Sequence, residues 1–269
     1  MDVSVALICG VVASDRLVWS GIQLLRVWIV WLIADIIFGL IFAQWRILKG
    51  IDLQEALEGI EGDSPVLFPY AVSGSPGARL ARATDEIVLQ WGDVVWPLAG
   101  RAALTAILGA ALALAMATFL GRKILAIVAL GLMFGVILIV VCGERETLSR
   151  WLCLLQVSVA WLLGARALGP LAMPTVGLAL LMGLGAYARE GLDTGGQRGF
   201  FGLLWITNWS FILILLVSQQ PALAMAIVIA SLAEAMSRGG QFLGTGSSPL
   251  CNAPWFASAL TVALAVTRW

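Results

Sequence analysis

Two short stretches of the sequence gather carboxylates beside an arginine. ATDEIVLQWGDVVWPLAGRAAL, from 83 to 104, carries Asp85, Glu86 and Asp93; AREGLDTGGQRGFFGLL, from 188 to 204, carries Glu190, Asp193 and Arg198. Paired carboxylates can hold Mg²⁺, which in turn bridges to phosphate oxygens, and a neighbouring guanidinium can clamp the same phosphate. The same residues also read as solvated loops with ordinary interfacial charge. Asp35 poses a separate problem, because it stands near the middle of the apolar run from Leu17 to Trp45. A charge at that depth in a bilayer costs about 2.5–3.5 kcal/mol on insertion scales, so Asp35 must face other helices or a wet cavity and have a partner. Arg26 lies nine positions earlier, on roughly the opposite side of the same helix. The partner of Asp35 must therefore come from elsewhere, as a structural bond or as part of a functional site.

The elements that position these residues follow from composition. The 269 residues are 61% hydrophobic and 12% charged, with a mean hydropathy of +0.97. A soluble domain is about 45–50% apolar and about 25% charged, so most of this surface must face lipid. The length suits roughly eight or nine spans of about 20 residues, an all-α transmembrane bundle forming one domain over 1–269. Sixteen basic and sixteen acidic residues balance, which argues against nucleic acid, whose phosphates need a basic excess. Histidine is absent, and with it the commonest ligand of haem and of His-bound metals. Cys9, Cys142, Cys153 and Cys251 form no CxxC pair and read as buried free thiols.

Along the chain, 3–13 is a short apolar segment, either a short first span or an interfacial piece. The run from Leu17 to Trp45 is a long span expected to tilt or protrude. Residues 46–95 are the one long polar stretch. Leu53, Leu57 and Ile60 share one face there with acids opposite, and Ser75–Pro76 opens a further helix, so amphipathic surface helices are expected. Apolar runs return at 97–120, 124–142, 147–165, 171–187, 200–218, 221–236 and 254–268. Gly131 and Gly135 form a GxxxG pair suited to close helix packing. Most tryptophans, among them Trp28, Trp31, Trp45, Trp96 and Trp151, fall near the ends of apolar runs, as an aromatic belt requires.

Loops 46–95, 143–150, 188–199 and 237–253 fall on one side and carry most of the arginines; 121–123, 166–170 and 219–220 fall on the other, with Arg122, Lys123 and Arg166. The positive-inside rule makes the first set cytoplasmic, with a bacterial inner membrane as the expected location. Nearly all the acids share that side.

This layout resembles the UbiA superfamily of intramembrane prenyltransferases. WPLAGRAALTAIL (96–108) is similar to that family's segment leading into its third helix, and EGLDTGGQRG (190–199) to its EGD-x-x-x-G segment with one residue inserted. The resemblance implies nine helices, with two acidic loops after the second and sixth that bind Mg²⁺-diphosphate. It also implies an isoprenoid diphosphate whose tail lies in the bundle. Asp85, Asp93, Glu190 and Asp193 would then lie near the metal and Arg198 near the phosphates. Two departures are specific: Leu89 stands where the first motif has Asp, and Arg189 stands four residues before Asp193 where the second has Asp. A diverged member with lost or altered Mg²⁺ chemistry thus follows as readily as an active transferase. The alternative is a non-catalytic membrane subunit packed against other subunits of a larger energy-converting or transport complex. A transporter coupled through Asp35 finds less support, since the sequence shows no half-repeat.

Overall fold

The computed structural model describes residues 3–14, 20–49, 96, 99–171, 173–195, 198–217 and parts of 219–232. Among these, every regular element is helical. The helices are α1 (Val3–Val12), α2 (Gly21–Lys49), α3 (Arg101–Leu120), α4 (Arg122–Val141), α5 (Arg145–Leu168), α6 (Met173–Gly195) and α7 (Arg198–Val217). Five of them, α2, α3, α4, α5 and the α7 segment Gly199–Val217, are long and apolar enough to cross a membrane. The eight or nine spans expected from the sequence extend into segments outside the described residues. The amphipathic helices expected within 46–95 lie, from residue 50 on, outside them, as does the last apolar run at 254–268.

The reason for a bundle is visible in where apolar side chains point. Leu104, Ile107, Leu108 and Leu112 of α3 are exposed, as are Met133, Phe134, Val136 and Ile137 of α4. Surfaces of that kind need lipid or another apolar surface against them. In α5, by contrast, 67% of the spanning window is buried, against 22–33% in the other four. Helix α5 is therefore the central strut, with α1, α4 and α6 packed on it and α7 beyond α6. Helix α2 lies across α5 and α3. The GxxxG expectation holds: a methyl on Gly131 would meet Val159 of α5 at 3.1 Å, and Gly135 faces the Trp45 ring of α2.

Three sequence expectations are corrected. Trp31 and Trp45 do not belong to an aromatic belt: Trp31 bonds to α1 and Trp45 is 7% exposed, whereas Trp28, Trp96 and Trp151 are exposed. Helix α2 runs through Arg46 to Lys49, so the polar stretch begins later than 46. The segment 188–199, expected as a loop, is helix up to Gly195. The helix continues because Arg189 is buried at 4% exposure within the bundle and Ser149 of α5 donates a 3.0 Å hydrogen bond to Glu190. Both side chains thus have protein surroundings, and their charge does not end the helix.

Helix α1 is ten residues long, about 15 Å at 1.5 Å per residue and half of a bilayer core of about 30 Å. It is neither a full span nor an interfacial helix, because Val3, Ala6, Leu7, Cys9 and Val11 are buried against the bundle. Two glycines let it approach α5 backbone to backbone. A Cβ on Gly10 would fall 3.0 Å from Ala165 N and closer still to the Trp161 carbonyl oxygen; one on Gly164 would fall 3.1 Å from Val11 N and closer still to the Leu7 carbonyl oxygen. Backbone atoms cannot move aside as a side-chain tip can. Gly10→Ala and Gly164→Ala should each destabilise the protein by about 1–3 kcal/mol, the usual cost of overpacking, read as a lower melting temperature in detergent. Gly177→Ala, on α6 with open space around it, should be neutral or gain up to about 1 kcal/mol from helix propensity.

Candidate functional site

Asp35 stands at the midpoint of α2, fourteen residues from each end of Gly21–Lys49. The helix changes pitch around it, with Leu32–Ile37 forming a π turn. Such single turns insert one extra residue into the helix and recur at functional positions. This one contains neither proline nor glycine, so tertiary contacts must hold it. Two are visible. Gln156 of α5 donates from Nε2 to the Ala34 carbonyl at 3.4 Å. From α1, Ser4 Oγ donates to Asp35 Oδ2 at 2.6 Å, while Trp31 Nε1 donates to Ser4 Oγ at 2.9 Å. The relay Trp31–Ser4–Asp35 gives the half-buried carboxyl the outside partner that its position requires.

Beyond this relay lies a cavity of about 290 Å³. Helix α2 contributes Asp35, Gly39, Phe42, Ala43 and Arg46; α5 contributes Cys153 and Gln156, and α6 contributes Glu190. The α2 residues follow the i, i+4, i+7, i+8, i+11 spacing of one helical face. The cavity thus joins a carboxyl and a guanidinium of α2 with a carboxyl of α6, all three half-buried. Each carboxyl accepts a hydrogen bond from a serine on a neighbouring helix, Ser4 for Asp35 and Ser149 for Glu190. Arg46 differs: its Nε is buried and finds no hydrogen-bond partner among the described residues. A half-buried guanidinium with one buried, unmet donor in a cavity is an arrangement that can receive an anion or an acceptor oxygen.

Next to the cavity, the α5–α6–α7 face is aromatic and cationic. Trp151 and Tyr187 rings lie 5.0 Å apart, Tyr187 and Phe200 lie 5.9 Å apart, and the Arg150 guanidinium sits 4.8 Å above the Phe200 ring. Arg150 also pairs with Glu146 at 3.2 Å, one helical turn away.

Of the residues singled out from sequence, the fold brings Asp35 and Glu190 into one cavity. Asp193, three residues after Glu190 on α6, is exposed and does not line it. Arg198 opens α7, with its side chain outside the description. Asp85 and Asp93 lie outside the described residues. Arg26 is exposed at the other end of α2, away from Asp35, as the nine-residue spacing required. Arg46 and Gln156 were not singled out from sequence. For Arg46 the signal existed, since it shares the Asp35 stripe; for Gln156 there was none. Cys9 and Cys142 are buried and Cys153 half-buried, all free, as expected; Cys251 lies outside the described residues. Among the described residues no group of three or more His, Cys, Asp or Glu is placed to hold a metal ion.

No family model, curated protein or solved structure matches the chain. Fold and site together define an integral membrane protein: among the described residues, an all-helical bundle with apolar outward-facing helices and a charged cavity lined from α1, α2, α5 and α6.

The relay yields a direct prediction. Ser4→Ala removes the donor to Asp35 and should cost about 1–3 kcal/mol, the usual penalty for a buried polar group that loses its partner. Asp35→Asn keeps an acceptor oxygen and should cost less. Thermal melting of the two variants in the same detergent gives the order, and equal melting of Ser4→Ala and the parent protein would remove the relay from the account of stability.

Proposed function

We propose that the protein holds the charged head of a membrane lipid in the cavity between α2, α5 and α6, the ligand being an isoprenoid diphosphate or a related lipid diphosphate. This is the reading of a diverged, UbiA-like member. What supports it is Arg46, whose Nε is buried without a partner in a cavity whose two carboxyls already have hydroxyl donors. A diphosphate oxygen supplies the acceptor that Arg46 Nε lacks.

The described residues do not amount to a Mg²⁺ site. Asp35 and Glu190 are each engaged by a serine, and no third carboxyl joins them among the described residues. We therefore draw no catalytic step through a metal. In the second acidic segment the cavity-lining residue is Glu190, with Asp193 at the exposed rim. Glu190 and Arg46 are thus the primary residues to test, ahead of Asp193.

The test is mass spectrometry of the protein gently extracted from its own membrane. A bound isoprenoid lipid, retained at least tenfold less by Arg46→Gln, is the expected result; a charged hydrogen bond of about 1.5–3 kcal/mol sets that scale. Stoichiometric partner subunits with no retained lipid would instead establish the non-catalytic subunit reading, with the cavity charges serving as internal packing.

A further inference from the structure

The end of the bundle away from this cavity carries a second, larger one. It measures about 500 Å³, and Arg26 of α2, Arg122 and Lys123 of α4, and Arg166 of α5 line it. No acidic residue lines it among the described residues. The sequence spreads these four cations over three helices, and in the chain they look like ordinary end-of-helix charges. The fold brings them to one concavity. Arg166 is anchored at its wall by a 2.6 Å hydrogen bond from Nη1 to the Gly169 carbonyl. Helix α4 begins at the same place, through Gly121 at φ 110°, with no side-chain cap. Its positive dipole end faces the same space as the C-terminal ends of α3 at Leu120 and α5 at Leu168, whose dipoles have the opposite sign, so the positive character of the concavity rests on the four side chains. Four like charges around one space repel one another, a repulsion that water and salt soften at the exposed Arg26, Arg122 and Lys123 and that an anion relieves further, and none of the four forms an ion pair within the described residues.

The surroundings indicate which anion. Ile22 and Leu25, in the turn before Arg26, are 70% and 56% exposed, and Phe119, next to the lining residue Leu120, is 88% exposed. A cationic concavity flanked by apolar, outward-facing side chains at the end of membrane-crossing helices matches an amphiphile: phosphate in the concavity, acyl chains along the flank. Basic pockets between transmembrane helices hold anionic head groups for this reason. A soluble phosphate would use the cations but not the apolar flank.

We propose that Arg26, Arg122, Lys123 and Arg166 form a binding site for the phosphodiester head of an anionic phospholipid, separate from the central cavity. The test uses the full chain in phosphatidylcholine nanodiscs with and without phosphatidylglycerol, with retained lipids counted by native mass spectrometry. The parent protein should retain phosphatidylglycerol over phosphatidylcholine. Arg122→Gln/Arg166→Gln should lower that preference about thirtyfold, at roughly fivefold per basic residue beside an anionic lipid. Lys123→Gln alone should lower it about fivefold, which serves if the double variant does not fold. Lys49→Gln, a cation at the opposite end of the bundle, should leave it unchanged. An unchanged preference in Lys123→Gln and in the double variant overturns the site. If inorganic phosphate raises the melting temperature of the parent protein as much as phosphatidylglycerol does, the ligand is a soluble anion and the lipid assignment fails.

Discussion

An ionisable side chain at the middle of a membrane-crossing helix is the constraint around which this bundle is arranged. Asp35 has fourteen helical residues on each side and cannot reach either interface. Unlike a lysine or an arginine, it has no long stem with which to snorkel. A donor must be brought to it, and α1 brings one. Ser4 can meet Asp35 only if α1 enters the bundle to about half depth and lies flat on α5. That in turn requires the backbone contact at Gly10 and Gly164. The short first helix, the glycine pair on either side of it and the burial of α5 all follow from the need to satisfy one carboxyl.

The same arrangement creates the cavity. With α1 reaching the Asp35 level at Val3, α2, α5 and α6 are left to enclose the rest of the bundle interior, and they do so with Arg46, Gln156 and Glu190 rather than with leucines. Buried polar groups are costly unless paired, and here the pairing is cross-helical throughout: α1 to α2, α5 to α2 and α5 to α6. These bonds fix the relative depth of four helices whose lipid-facing surfaces cannot do so, since one turn of Leu, Ile and Val is much like the next. The π turn belongs to this network. It frees the Ala34 carbonyl for Gln156 and sets the azimuth at which Asp35 meets Ser4.

The helices themselves were legible from hydropathy alone, because composition leaves lipid as the only environment for such surfaces. The runs at 97–120, 124–142 and 147–165 correspond to α3, α4 and α5 within a few residues. That Asp35 needs a partner, and that Arg26 could not be it, also followed from spacing. The identity of the partner did not, since Ser4 is one small hydroxyl in an apolar segment and its role depends on a tertiary approach. Arg46 was hidden by a boundary: read as the start of a polar stretch, it was not placed on the Asp35 stripe to which the helical period assigns it. Arg189 and Glu190 looked like loop charges for a related reason. Charge in a membrane sequence is read as an end of a helix, and here neighbouring helices supply what water would otherwise supply. The π turn carries no local signal, because its residues, LIADII, would form an ordinary α-helix in isolation.

The two polar regions of the bundle are built on opposite electrostatic logic. In the central cavity, two carboxyls and a guanidinium of opposite sign, all half-buried, share one space, where charges are screened less than at an open surface. Small changes in what occupies that space must therefore register on α2, α5 and α6 together, through bonds that link all three. At the other end, four cations face one space with no carboxyl among the lining residues described. There the repulsion is softened by water and salt and relieved fully by an anion from outside the chain. The first region is nearly self-sufficient apart from one arginine donor, whereas the second is incomplete as protein alone. A bundle that differs so much between its interior and its end is held in one position along the membrane normal, because a shift by a turn that drew the cationic end inward would bury four charges.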